Sequence, residues 1–192
     1  MRQAGEADHP LFGQGDPLID HCTNLAGVSN EFDDLLAANR EFAADFSLSG
    51  FDGVAHAGIA IVTCMDSRID PLGMLGLKPG DAKIFRNPGG RVTEAALEAL
   101  VLGVHLLKVE RVLVVPHTRC AMASASEEQL QERIGAAVGQ DVSWHAFHVI
   151  ENQPQSLRHD VAKVRSHPLI PDDVAVGGFI YDVDTGLLDQ IV

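Results

Sequence analysis

The chain has 192 residues, of which 46% are hydrophobic and 21% are charged, and its formal net charge is −13. This length is sufficient for one domain with a real hydrophobic core, and the composition is ordinary for a soluble globular protein. The acidic charge disfavours nucleic acids and anionic membrane surfaces as partners, because binding to either usually needs a basic face. No apolar run approaches the roughly 18 residues that a membrane-spanning helix requires.

The beginning of the chain and its cysteines indicate the compartment. Residues 1–16 are polar and lack the apolar region of a secretory signal. Three cysteines are an odd number and do not make a disulfide framework. We therefore expect a reducing, cytoplasmic location, where a group of Cys and His residues indicates metal binding before it indicates a disulfide.

Two segments differ in their hydrophobic pattern. Residues 1–30 show no clear period, and we interpret them as an N-terminal arm, extended or in contact with another subunit of an oligomer. The remaining chain, 31–192, reads as one domain. Its first helix is predicted to be capped at Ser29 or Asn30, with apolar side chains at the helical repeat: Phe32, Leu35, Leu36, Phe42, Ala43 and Phe46.

Strand and helix patterns alternate along the rest of this domain. Buried strands are predicted over 59–64, 82–86, 111–116 and 174–182, and the turn at 184–186 leads to a short last strand. This alternation predicts a single α/β domain whose central β-sheet is mostly parallel. The sheet would have about four parallel strands plus a short antiparallel edge strand, flanked by helices.

The helices between these strands carry capping signals. Asp70 and Pro71 have the form of a cap and first residue of a short helix. Thr93 is expected to cap a helix that runs to about residue 107, and Ser126 to begin another through a capping box. A further helix is predicted over 155–166.

Three candidate metal ligands fall at strand ends. Cys64 ends the first predicted strand, His117 follows the third, and Cys120 comes one tight turn after His117. Ligands of open α/β sheets bind outside the carboxyl ends of the strands. Two thiolates and one imidazole suit zinc, and three protein ligands leave one tetrahedral position open, as in catalytic zinc sites.

A carboxylate and a guanidinium stand beside the first thiolate. Asp66 and Arg68 are two residues apart, so they offer an acid/base group together with its own fixed partner. Cys64-x-Asp66-x-Arg68 followed by His117-x-x-Cys120 resembles the β-class carbonic anhydrases, in particular the short bacterial members.

Two further segments carry the same resemblance. The loop Arg86-Asn87-Pro88-Gly89 is similar to the Arg-Asn-Ala-Gly loop of that family, and residues 178–188 resemble its closing hairpin. The resemblance covers roughly residues 55–188, which is most of the chain.

The resemblance implies a zinc-dependent carbonic anhydrase, in which zinc-bound hydroxide hydrates carbon dioxide reversibly to bicarbonate and a proton. Cys64, His117 and Cys120 would bind one Zn²⁺ per chain. Asp66 would accept a hydrogen bond from the hydroxide, and Arg68 would hold Asp66 and keep it ionised. In some family members this aspartate becomes a fourth zinc ligand and closes the site, and the sequence leaves both states open.

Five residues are candidates for the substrate pocket, namely Asn87, Gly89, Arg119, Ala121 and Met122. The family usually has glycine where this chain has Ala121, so the added Cβ costs roughly 1 kcal/mol or more if the position needs a positive φ or close backbone approach. Arg119 would attract bicarbonate or slow its release. Pro88 replaces the alanine of the loop and removes one backbone donor.

Two alternatives to a carbonic anhydrase remain open at this point. The same site would suit a hydrolase of carbon disulfide or carbonyl sulfide, which are similar linear molecules. A zinc-stabilised sensor or binding protein with the same fold and no turnover is the other. The resemblance also implies a homodimer or a higher homo-oligomer, with the helix over 32–46 as the candidate for contact with a partner subunit.

Overall fold

A five-stranded sheet organises the computed structural model, which describes residues 30–192. The strands are β1 (Ile59–Cys64), β2 (Ala82–Asn87), β3 (Arg111–Val115), β4 (Ala175–Tyr181) and β5 (Leu188–Gln190). Their order in the sheet is β2-β1-β3-β4-β5, with the first four parallel and β5 antiparallel to β4. The predicted mostly parallel sheet with a short antiparallel edge strand is therefore confirmed.

Residues 30–192 also form four α-helices. They are α1 (Asp33–Ala44), α2 (Glu94–Leu106), α3 (Glu127–Val138) and α4 (Gln153–Arg165). Short 3₁₀ turns are formed by Gly73–Leu75, Pro88–Gly90 and Ala121–Ala123. Within residues 30–192, no helix has both the length and the apolar character needed to cross a membrane.

The main hydrophobic core joins one face of the sheet to α2 and α4. Every residue of β1 is buried, as expected of an apolar strand with parallel neighbours on both sides. Val62 and Val114 belong to the same buried cluster as Leu100 of α2 and Val161 of α4. Each such side chain contributes roughly 1.5–3 kcal/mol by leaving water. This packing fixes the strand ends from which the functional loops leave.

The starts of two helices differ from the predicted ones. The structure begins α1 at Asp33, with Phe32 in the cap position and no side-chain cap, so the helix starts later than the predicted cap at Asn30. Asn30 lies in the turn before it, where its side chain accepts a hydrogen bond from the Phe32 amide and its own amide donates to the Asp33 carboxylate. Helix α4 begins two residues early, capped by Asn152, because Pro154 fits the first turn of a helix. Ser29, the other predicted cap, lies outside the described residues.

The short helix expected after Asp70 is reduced to a single turn. The Asp70 carboxylate accepts hydrogen bonds from the amides of Leu72 and Gly73, as a capping residue does. The helical residues that follow are only the 3₁₀ turn Gly73–Leu75, which ends at Gly76 in the left-handed conformation. The predicted cap is thus present, although the helix is not extended.

The chain divides into two compact units. One ends at Ser49 and contains α1, and the other runs from Gly50 to Val192 and contains the whole sheet. The arm predicted over residues 1–30 lies, apart from Asn30, outside the described residues. The domain assignment that separates this arm from residues 31–192 therefore stays a prediction.

The capping box of α3 provides a test of the local structure. The Ser126 hydroxyl accepts a hydrogen bond from the Gln129 amide, and the Gln129 side chain accepts one from the Ser126 amide. Ser126→Ala should lower the free energy of unfolding by about 1 kcal/mol, whereas Ser126→Gly should cost only a few tenths. Urea unfolding followed by circular dichroism measures both variants. Equal losses in the two variants would contradict the capping role.

Candidate metal centre

Three buried side chains converge at the carboxyl end of the sheet. Cys64 is the last residue of β1, and His117 lies two residues after the end of β3. Because β1 and β3 are neighbours in the sheet, the two residues meet despite their separation in sequence. Cys120 completes the group, and the candidate ligand atoms of the three side chains all lie within 4.8 Å of one another. The structure thus brings together the three ligands suggested by the sequence.

The imidazole of His117 has one nitrogen engaged and one without a partner. Its Nδ1 lies 2.8 Å from the Thr118 carbonyl oxygen. Because a carbonyl oxygen can only accept a hydrogen bond, Nδ1 carries the proton and Nε2 presents its lone pair. Nε2 is buried and has no hydrogen-bond partner. A backbone carbonyl that holds the far nitrogen is the usual arrangement around a metal-binding histidine.

These donors fit a zinc ion. Buried polar atoms without a partner are rare in folded proteins, and the orphaned Nε2 lies among two sulfur atoms that are 4.0 Å apart. One imidazole and two thiolates form a donor set typical of zinc with an open coordination position. Asp66 is not part of this three-residue cluster.

The two thiols have opposite pKa shifts. The pKa of Cys64 lies well below its ordinary value, above all because the Cys120 thiol donates a hydrogen bond to its sulfur, with further hydrogen bonds from the backbone. The pKa of Cys120 is raised by the same contact and by burial. The pair therefore favours one thiolate and one thiol, and the thiolate is the form that binds metal.

Asp66 is held by Arg68 through two parallel hydrogen bonds. Arg68 Nε donates to Asp66 Oδ1 over 2.9 Å, and Arg68 Nη2 donates to Oδ2 over 2.7 Å. The Arg68 amide also donates to Oδ1. These bonds hold the pKa of the Asp66 carboxyl far below its usual range, so it is ionised at neutral pH. Asp66 Oδ2 lies 3.8 Å from His117 Nε2. The carboxylate is thus turned toward its guanidinium, beside the cluster.

Arg86 has a structural role that the sequence did not reveal. Its guanidinium donates to the backbone carbonyls of Cys64, Asp66 and Ile69, over 2.8, 2.5 and 3.3 Å. A planar group with five donors is well suited to fix an irregular loop in this way. Arg86 therefore holds the segment that carries both the first thiol and the dyad.

The loop after β2 approaches the first thiol through its backbone. The Gly89 amide donates a hydrogen bond to Cys64 Sγ over 3.3 Å. Gly90 has φ +65°, and a Cβ there would lie 3.0 Å from the Cys64 nitrogen. Only glycine meets both conditions without strain. Pro88 removes a donor at its own position, but the donor that serves the sulfur is that of Gly89.

The loop between the second and third ligands is tied down at several points. The Gln153 side chain donates to the His117 carbonyl over 2.8 Å, and the Thr118 amide donates to the Tyr181 carbonyl over 2.9 Å. Arg119 has φ +53° and forms an ion pair with Asp184 on the surface. Its carbonyl accepts a hydrogen bond from Arg68. This last contact links the dyad to the ligand loop.

The strained position of this loop is Arg119 and not Ala121. In the described residues the non-glycine residues with positive φ are Lys108, Arg119 and His148. Ala121 begins the 3₁₀ turn Ala121–Ala123 and is exposed, so the conformational cost considered for its Cβ does not arise from a positive φ. Nothing in the sequence predicted a positive φ at Arg119, because arginine rarely adopts this conformation.

Apolar side chains surround the ligands. Met122, one of the pocket candidates, packs against Cys64, Cys120 and the buried Ile69. Met74 and Tyr181, which the sequence did not single out, pack against the same cluster. Another candidate, Asn87, uses its side chain to bind the backbone of Arg91. The metal centre therefore has an apolar wall on the side of Ile69 and Met122.

Comparison with known proteins agrees with this geometry. A sequence model of the carbonic anhydrase family matches residues 59–188. Beta-carbonic anhydrase 1 of Mycobacterium tuberculosis is 31% identical over 166 residues, which cover 83% of this chain and 96% of that protein. A carbon disulfide hydrolase of Acidianus sp. is 29% identical over 73% of this chain and 81% of its own length.

A similar fold is found among solved structures. The crystal structure of a carbonic anhydrase from Streptococcus mutans matches with a TM-score of 0.78 and 33% sequence identity. The match covers 86% of this chain and 100% of that one. Sequence and structure thus point to the same family.

A substitution of Gly90 tests the close approach of its loop to the first thiol. Gly90→Ala should lower both the free energy of unfolding and the metal content, because its Cβ meets the backbone of Cys64. Gly139→Ala is the matched control, since Gly139 has φ +69° and no atom within 4 Å of the added Cβ. It should cost only the roughly 1 kcal/mol of the left-handed conformation and leave the metal content unchanged. Urea unfolding and elemental analysis measure the two variants. Equal losses of stability and of metal content in both would contradict the contact.

Proposed function

This chain belongs to the β-class carbonic anhydrase family, and we propose that it interconverts carbon dioxide and water with bicarbonate and a proton as a zinc enzyme. One observation carries the proposal. The partnerless, buried Nε2 of His117 lies with two thiols beside an aspartate whose guanidinium partner keeps it ionised.

Cys64, His117 and Cys120 would hold one zinc ion per chain. When bound, zinc supplies a Lewis acid that makes water available as a nucleophile near neutral pH. Metal binding would release the proton of the remaining thiol, and the two thiolates would then balance the charge of a divalent cation. The Thr118 carbonyl keeps the imidazole in the tautomer that ligation requires. The buried ligands also exclude water from the far side of the site.

Asp66 acts in this proposal as a fixed hydrogen-bond acceptor. Its depressed pKa means that it does not retain a proton at neutral pH. It therefore orients the attacking water through one hydrogen bond, while Arg68 occupies its remaining lone pairs and prevents rotation. The proton released by hydration leaves to solvent or buffer. If the rate changes with pH near neutrality, the group that titrates there is therefore not Asp66.

The apolar wall suits a small, uncharged, linear substrate. Ile69 is buried, and Met122 is partly buried beside the ligands, so a carbon dioxide molecule would contact carbon and sulfur atoms. Asp66, whose Oδ2 lies 3.8 Å from His117 Nε2, supplies the polar contact to the attacking water. Carbon disulfide has the same shape and chemistry, and a similar hydrolase of that substrate is 29% identical to this chain. It is therefore the second candidate substrate.

Replacement of Asp66 tests the chemistry. Asp66→Asn should lower kcat for carbon dioxide hydration by about a hundredfold or more, because an amide cannot act as the same acceptor. The zinc content should stay near one per chain, since Asp66 is outside the ligand cluster. Asp172→Asn, at an exposed position of the same unit, is the control and should retain full activity.

Stopped-flow assays at pH 7 and pH 8.5, with carbon dioxide and separately with carbon disulfide, measure these variants. Turnover of carbon disulfide but not of carbon dioxide would identify carbon disulfide as the substrate. Bound zinc with neither activity would contradict an enzymatic role and leave a binding protein of the same fold. Unchanged hydration by Asp66→Asn would contradict the function assigned to this residue.

The exposed apolar side chains of α1 support a homo-oligomer. Leu35 is 62% exposed and Phe42 is 65% exposed, and the two lie seven residues apart on one face of the helix. Leu36 of the helix and Phe46, two residues beyond its end, are exposed as well. Large apolar side chains gathered on one helix face are typical of a protein–protein interface. We propose that this face contacts a second copy of the chain.

A charge placed on this face tests the contact. Leu35→Glu should shift the protein toward a monomer in sedimentation velocity, because burying the carboxylate against a second copy is unfavourable. Ala37→Glu adds the same carboxylate at an exposed position two residues from Leu35, on the other side of the same helix, and should leave the sedimentation coefficient unchanged. A wild-type chain that sediments as a monomer, or equal behaviour of both variants, would contradict the proposed contact.

We further propose a reducing, cytoplasmic location. Cys64 and Cys120 are free thiols with sulfur atoms 4.0 Å apart. In an oxidising compartment such a pair is exposed to disulfide formation, which would remove two of the three ligands.

A further inference from the structure

A carboxylate of α4 is almost completely buried and has no part in the ligand cluster. Asp160 is 2% exposed, and the other buried residues of α4, Leu157, Val161 and Val164, are all apolar. Arg91 meets it with two hydrogen bonds, from Nε over 2.6 Å and from Nη2 over 3.2 Å. A buried ion pair is costly to desolvate, so its presence calls for a role beyond stability alone.

The same carboxylate and Lys163, one turn later in α4, both form hydrogen bonds with the backbone of Val92. Asp160 Oδ2 accepts a hydrogen bond from the Val92 amide over 3.2 Å. Lys163 Nζ donates to the Val92 carbonyl over 3.1 Å. Because Asp160 and Lys163 are three residues apart, they lie on one face of α4. Both backbone polar groups of Val92 are therefore held by side chains of this helix.

Val92 directly follows the loop 87–91, which contacts the first thiol and has its own internal hydrogen bonds. The Asn87 side chain accepts from the Arg91 amide over 2.8 Å and donates to the Arg91 carbonyl over 2.7 Å. Residues 87–91 are thus closed into a ring, with Asn87 at one end and Arg91 at the other. Inside this ring lies Gly89, whose amide donates to Cys64 Sγ.

The loop itself has little intrinsic rigidity. It contains two consecutive glycines, Gly89 and Gly90, both with positive φ, and glycine has the largest conformational freedom in the backbone. Its internal closure by Asn87 fixes its shape but does not fix its place relative to Cys64. The contacts from α4 supply that second constraint, since α4 packs against the sheet that carries β1.

We propose that Asp160 is a positioning residue of the metal centre. Through Arg91 and Val92 it holds the loop 87–91 so that the Gly89 amide keeps its hydrogen bond to Cys64 Sγ. It touches neither substrate nor metal. The proposal concerns this chain's own residues and rests on the proposed function only in treating Cys64 as a metal ligand.

The test uses the full-length protein as purified, with its metal content determined on the same sample. Asp160→Asn removes the negative charge and weakens the hold on Arg91. Glu94→Gln is the matched control, because it removes the exposed partner of Lys163 and leaves Asp160, Arg91 and Val92 in place. Arg91→Met/Asp160→Asn is a second variant that removes both charges. No unpaired buried charge then threatens folding.

Three readouts separate positioning from general stability. Hydrogen exchange of the Gly89 amide should become at least tenfold faster in both variants and stay unchanged in the control. The thiolate-to-metal charge-transfer band of the cobalt(II)-substituted protein should shift, because the sulfur loses a hydrogen bond. Release of the metal to a chelator should become about tenfold faster, as is typical when a partner of a ligand is lost.

Each outcome decides the matter. Wild-type exchange at Gly89 in both variants overturns the proposal, and so does faster exchange with an unmoved charge-transfer band. Equal changes in the control and in the two variants also overturn it, because they show a general loss of stability. A wild-type protein that binds no metal overturns the proposed function instead, and the exchange measurement then still decides whether Asp160 holds the loop.

Discussion

The parallel pairing of β1 with β3 is the constraint on which the metal centre depends. Its register places Thr63 opposite Val115, and the buried Thr63 hydroxyl donates to the Val115 carbonyl over 2.7 Å. Both strands therefore end at the same level, so that Cys64, the last residue of β1, and His117, two residues after β3, lie at the same edge of the sheet. A slip of one residue would turn each of these side chains to the opposite face.

Around these strand ends, charged side chains mainly hold irregular backbone. Arg86 binds three carbonyls of the loop that follows Cys64. Arg68 holds the Asp66 carboxylate and also contacts the Arg119 carbonyl, while Arg91 is tied to the buried Asp160. Loops lack the repetitive hydrogen bonds of helices and strands, so these contacts satisfy their backbone and restrict their motion. This arrangement leaves Asp66 fixed and the imidazole of His117 free to bind metal.

Local sequence and distant contacts together place the loop 87–91 beside Cys64. Gly90 must be glycine because of its own φ and its distance from the backbone of Cys64. The location of its loop is decided elsewhere, by α4, whose residues are about 70 positions away in sequence. Such a division is common where a rigid scaffold carries functional loops, since the loop sequence sets its shape and the scaffold sets its position.

The sequence by itself predicted the alternating elements, the mostly parallel sheet and the grouping of Cys64, His117 and Cys120 as candidate ligands, because hydrophobic period and ligand spacing are local properties. It also marked the pairing of Asp66 with Arg68, which are close along the chain. Only the tertiary structure decided that Arg119 is the strained residue and that Asp160 holds the loop beside Cys64. These features depend on contacts between residues far apart in sequence, and neither composition nor periodicity records which distant side chains will meet.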